Sequence, residues 1–181
     1  MSTVRSKTGA IRAMLEKERS KAQCDRIVRY VGNDPDRFSE LIETFFSGPY
    51  RVTQYAAWPL SYVVIAHPEL VSRHLGKLIR KLGEPGVHDA VKRNILRFLP
   101  AVDIPAKYHE KLIELCFGFL TDRNEAVAIQ VFAMEVLSKL ITPYPELERE
   151  LAIILEGELP YATPGYRSRA LKILRRIKKD R

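Results

Sequence analysis

Arg51, Tyr55, Trp58 and Tyr62 recur at intervals of four, three and four residues. That spacing lays one cation and three aromatic rings along a single helix face. An exposed row of this kind stacks nucleobases, holds a cation or anchors a protein partner. Val52, Ala56, Leu60 and Val63 form a neighbouring apolar stripe. Aromatic stripes at helical spacing are more often core than interface, so both readings stand. Trp58 is the only tryptophan. Pro59 lies in the same segment, where it removes a helical hydrogen bond and predicts a kink near residues 56–58.

The second constellation is electrostatic. Residues 164–181 carry eight Lys/Arg against one acidic residue: Arg167, Arg169, Lys172, Arg175, Arg176, Lys178, Lys179 and Arg181. The run shares a helix with an apolar face of Tyr166, Ala170, Ile173, Leu174 and Ile177. A basic helix of this type meets nucleic acid or an acidic partner, or caps the end of a soluble array. Residues 1–34 carry eight basic and four acidic residues, and residues 35–163 fourteen and seventeen. A mildly acidic body therefore lies between two basic ends.

Catalytic and metal chemistry have little to build on. The histidines, His67, His74, His88 and His109, show no HExxH or other ligand spacing. Each reads as a surface or capping residue. Glu110 and Glu114 stand one turn apart, which suits two solvated carboxylates better than an acid–base pair. No nucleophile elbow, phosphate loop or dinucleotide-binding glycine pattern occurs. The expectation is therefore no catalytic residue, no metal site and no cofactor.

Cys24 and Cys116 lack metal or redox spacing. Cys116 reads as a small core hydrophobe, and Cys24, on a charged helix, as partly exposed. Two unpaired thiols, a start without an apolar leader and no apolar run of about 20 residues predict a cytoplasmic protein with no membrane span.

The elements that position these residues are helices. Pro and Gly punctuate the chain at 34–35, 48–49, 67–68, 83–86, 100, 104–105, 143–145 and 163–165. Apolar residues between them recur at helical spacing, as Leu147, Leu151, Leu155 and Leu159 do. A leading helix is predicted over 9–31. Eight more follow as antiparallel pairs, 35–47 with 49–66, 68–82 with 86–99, 105–121 with 123–141, and 145–159 with 164–178. The segment 123–141 is apolar almost all round and belongs in the middle of a stack. The pairs begin at Pro35, Pro68, Pro105 and Pro145, spaced by 33, 37 and 40 residues.

The second helices share a register. Residues 129–137 align with 166–174 without gaps, 91–99 fit the same frame, and 50–58 fit it more loosely. The frame reads apolar, basic, small, then an apolar pair, with Arg51, Lys92, Gln130 and Arg167 in the basic slot. Gln130 departs from basic there, and Gln54 departs from small. Over residues 35–178 this pattern resembles the HEAT/armadillo-like helical repeat family.

The resemblance implies an all-α solenoid, a superhelix of about four HEAT-like hairpins at 35–66, 68–99, 105–141 and 145–178, preceded by a capping element at 9–34. In that family the basic slot often ties neighbouring repeats. The resemblance also implies a non-enzymatic scaffold that binds a protein or peptide on its concave face. The candidate binding residues are Arg51, Tyr55, Trp58, Tyr62, Lys92, Arg167, Arg169, Lys172, Arg175 and Arg176. The alternative is nucleic-acid binding through the basic C-terminal helix, since some HEAT-like proteins are glycosylases of alkylated DNA. No Asp or Glu lies one helical turn from Trp58, where Gln54 and Tyr62 stand instead.

Overall fold

Helix boundaries follow local capping chemistry. The computed structural model describes residues 9–179; Arg181 of the basic run and the start at residues 1–8, expected to lack an apolar leader, lie outside them. Among the described residues there are ten α-helices and no strand. The chain divides into two compact units at Val102 and Asp103.

In the first unit, α1 (Ala10–Lys17) and α2 (Lys21–Val31) replace the single leading helix expected over 9–31. Glu18 is extended, and the Ser20 hydroxyl accepts the Gln23 N–H at 3.1 Å. A serine that satisfies a first-turn donor starts a new helix. The buried Gln23 then donates to the Met14 carbonyl at 2.6 Å, joining the end of α1 to the start of α2.

Helix α3 (Pro35–Ser47) has Pro35 in its first turn, and the Asp34 carboxylate accepts from Asp36 and Arg37 N–H at 2.9 and 3.0 Å. It buries Phe38, Leu41, Ile42 and Phe45, side chains that contribute roughly 1.5–3 kcal/mol each. Its buried Glu40 reaches back to α1 and accepts the Ile11 N–H at 2.9 Å, supplying a partner for one of the orphan donors of a helix start.

Helix α4 (Tyr50–Ala66) runs unbroken through the buried Pro59. Its neighbours explain its low polarity, since it packs against α1, α2, α3 and α6. The segment read as one helix over 68–82 is a 3-10 turn (Pro68–Val71) followed by α5 (Leu75–Leu82). α6 (Asp89–Phe98) completes the unit, its start capped by His88 Nδ1 accepting the Ala90 N–H at 3.0 Å. Helices α2, α4 and α6, each the second of its pair, lie side by side with α4 in the centre.

The second unit holds α7 (His109–Thr121), α8 (Val127–Leu140), α9 (Pro145–Glu158) and α10 (Pro164–Lys179). α8 touches all three others. This is the central position expected of a helix with apolar residues on most sides. It buries Ile129, Ala133, Met134, Val136, Leu137 and Leu140. Both cysteines are buried, which corrects the partly exposed position expected for Cys24: the apolar side of α2 turns it inward beside Ile27.

Candidate binding site

Three sides of α4 are taken up by packing, and the fourth carries the aromatic row. Val52, Ala56, Leu60, Val63 and Val64 are buried, while Tyr55, Trp58 and Tyr62 remain half-buried and Arg51 is exposed. The row is thus neither core nor free surface. It is the floor of a face edged by α2 on one side and α6 on the other.

Cations from both edges lean over the rings. The Arg19 guanidinium, from the α1–α2 link, lies 5.0 Å from the Tyr55 ring centroid. The Tyr62 ring has two such neighbours, Lys21 Nζ at 4.9 Å and the Arg97 guanidinium at 4.5 Å. Arg97 also donates to the Tyr62 hydroxyl at 3.1 Å. Ring faces carry negative potential and attract cations, so the tyrosines hold these long side chains in place. Lys21 is further bonded to Asp25, and that bond raises its pKa above the ordinary lysine value.

A narrow cleft of about 40 Å³ opens between these groups. Tyr55, Trp58 and Gln54 line it from α4, Arg93 and Asn94 from α6, and Glu18 and Arg19 from the α1–α2 link. Beneath it, the Ser61 hydroxyl lies between the Trp58 carbonyl at 2.8 Å and Asn94 Oδ1 at 3.1 Å. Asn94 in turn donates to the Ala90 carbonyl at 2.7 Å. This buried polar link fixes α6 against α4 and sets the width of the cleft. Cys24 also borders it, but burial pushes its thiol up to about 11. It stays protonated at neutral pH and is no nucleophile there.

The candidate residues therefore separate. Tyr55 and Trp58 share the cleft, with Tyr62 further along the same helix in its own cation clamp. Arg51 is exposed and does not line the cleft, and Lys92 is half-buried on α6. In the second unit the basic slot is used locally. Gln130 donates to the Asp122 carbonyl at 2.9 Å, within its own helical pair, and Arg167 is exposed.

The basic C-terminal helix divides the same way. Arg169 pairs with Glu135 of α8, Arg176 donates to the Ser138 carbonyl of α8, and Lys178 pairs with Glu156 of α9 at 3.3 Å. These cations border the buried stripe and tie α10 to its neighbours. Lys172, Arg175 and Lys179 sit on the opposite side and are exposed.

Sequence reasoning missed Glu18, Arg19, Lys21, Arg93, Asn94 and Arg97. Arg93 and Arg97 stand one turn apart in α6, a visible signal that the repeat register hid by drawing attention to Lys92. Arg19 and Lys21 were invisible while residues 9–31 read as one straight helix. Glu18 supplies the carboxylate near Trp58 that local spacing did not show.

Among the described residues there is no cluster of three His, Cys, Asp or Glu able to hold a metal ion, and no helix is long and apolar enough to cross a membrane. A family model for a HEAT repeat domain matches residues 11–177. No curated protein and no solved structure matches the chain.

Proposed function

The chain belongs to the HEAT repeat family, and from that premise we propose a non-enzymatic interaction module that binds an acidic segment of a protein partner on its α2–α4–α6 face. HEAT repeats generally serve as protein-interaction scaffolds. We assign the repeat units to 35–66, 68–99, 105–141 and 145–178, led by the 9–34 element, and place the protein in the cytoplasm, in keeping with its two free thiols.

One observation carries the proposal: Arg19 and Arg93 line a single cleft with Tyr55 and Trp58. Guanidinium groups present donor pairs that match a carboxylate, and aromatic rings beside them give a partner an apolar seat. The cavity of about 40 Å³ suits the tip of a side chain. An extruded nucleobase needs a far larger pocket, and the protonated Cys24 offers no covalent chemistry. Both points favour recognition over base removal.

Trp58, the sole tryptophan, reports on this site directly. Its emission is followed while the protein is titrated with polyglutamate or with single-stranded and duplex oligonucleotides at two salt concentrations. The proposal expects polyglutamate to change the emission and Arg93→Ala to weaken that response. A response to oligonucleotides alone would replace it with the nucleic-acid reading, which the outward row Lys172, Arg175 and Lys179 favours.

A further inference from the structure

We propose that the second unit carries a separate peptide site of opposite charge preference, a groove along α8 and α9 that takes an arginine side chain of a partner segment. The groove has a cavity of about 780 Å³ lined by Arg123, Ile153, Glu158 and Tyr161, among others. A smaller cavity of about 100 Å³ shares Glu158 and Tyr161 and continues to Val127 and Tyr166.

Three observations converge there. The exposed large apolar residues among the described ones are Tyr50, Ile65, Val127, Tyr144, Ile153 and Tyr161. Three of these six border this one groove, and Tyr161 is 86% exposed. Grouped exposure of this kind marks a contact surface, whereas scattered exposure does not.

The second observation is an unsatisfied polar atom. Tyr166 is 5% exposed, and its hydroxyl is the buried side-chain atom without a hydrogen-bond partner among the described residues. A buried hydroxyl left unpaired is costly, and it lies on a residue that lines the smaller cavity. Burial, with the nearby Glu158 carboxylate, pushes the Tyr166 phenol up to about 12. It stays neutral at physiological pH, with an oxygen able to accept.

The third is charge. The Glu158 carboxylate lines both cavities. The Glu158 carboxylate and the Tyr166 phenol oxygen can each accept a hydrogen bond, and the exposed Tyr161 ring lies beside them. A guanidinium supplies several donors and stacks on a ring, and its three-carbon stem suits Val127 and Ile153. The volume of the larger cavity and the apolar Ile153 call for a peptide rather than a free amino acid. Arg123, which also lines the larger cavity, meets an acidic residue of the same segment.

The test uses the full chain and a fluorescein-labelled hexapeptide alternating leucine and arginine, read by anisotropy. A second peptide carries glutamine in place of arginine. The arginine peptide should bind about tenfold more tightly, and Glu158→Gln or Tyr161→Ala should each lose about tenfold. Tyr166→Phe should weaken binding about threefold while leaving the melting temperature unchanged or higher, a split that a folding defect would not give. Arg93→Ala should bind as the wild type does, which separates this groove from the α2–α4–α6 face. Equal binding of the glutamine peptide, an unaffected Glu158→Gln variant, or a loss in Arg93→Ala would each overturn the proposal.

Discussion

Arg97 of α6 makes two contacts with Tyr62 of α4, a guanidinium 4.5 Å from the ring centroid and a 3.1 Å hydrogen bond to the hydroxyl. The pair clasps the two helices that frame the cleft. A cation–π contact at a partly exposed site contributes about 0.5–1 kcal/mol, and a hydrogen bond about 1 kcal/mol. A double-mutant cycle of Arg97→Ala and Tyr62→Leu, measured by urea unfolding, should therefore give a coupling of about 1 kcal/mol. Strictly additive losses would mean that the two residues stabilise the unit independently.

Gly48, between α3 and α4, sits where the chain packs too closely for a side chain. A Cβ at this position would stand 2.6 Å from the Thr44 carbonyl oxygen and 2.8 Å from Val52 Cγ1. The backbone oxygen cannot swing away, so the turn itself must open. Gly48→Ala should destabilise the protein by about 1–3 kcal/mol. Gly118→Ala, where an added Cβ meets nothing within 4 Å, serves as the control and should be neutral or stabilising.

The cations of α10 should split into two classes. Arg176 donates to the Ser138 carbonyl near the end of α8, where orphan carbonyls need partners, so Arg176→Ala should cost about 1.5–3 kcal/mol. The triple variant Lys172→Ala, Arg175→Ala and Lys179→Ala touches only exposed positions and should change stability by less than about 0.5 kcal/mol per site. Thermal melts of the two variants distinguish them. Equal losses would mean that the whole run is structural.

Alkaline pH should destabilise the native state through its thiols. Burial raises Cys24 from 9.0 to about 11 and raises Cys116 further still. Between these values the unfolded thiol loses its proton while the native one keeps it, so the native state binds more protons and stability falls as pH rises. The decline begins near pH 9 and runs through pH 11 for Cys24. Urea midpoints measured across that range should show it, and Cys24→Ala should flatten part of the slope. An identical slope in that variant would place the effect elsewhere.

Most of the helices were legible because their signals are local. Pro35 and Pro145 each open a helix in the structure, and the apolar spacing around Leu151 and Leu155 survives as burial. The break at Glu18 to Ser20 was hidden because one serine cap outweighs an uninterrupted helical pattern. Trp58 was found by spacing, but its partners were not. Arg19 and Arg93 reach the cleft from 39 residues before and 35 residues after Trp58, and only packing brings them together. Tyr166 shows the opposite limit. Its apolar-face position was plain, yet an unpaired hydroxyl is a property of what surrounds it.

The most direct measurement of the central claim is the affinity of labelled polyglutamate for the wild type and for an Arg19→Ala/Arg93→Ala variant of matched melting temperature. If these two guanidinium groups beside Trp58 receive an acidic partner, removing both should weaken binding by about tenfold or more, with a shallower salt dependence. Unchanged affinity in a folded variant would mean that acidic ligands meet this protein through some other cations, and the α2–α4–α6 face would lose its role.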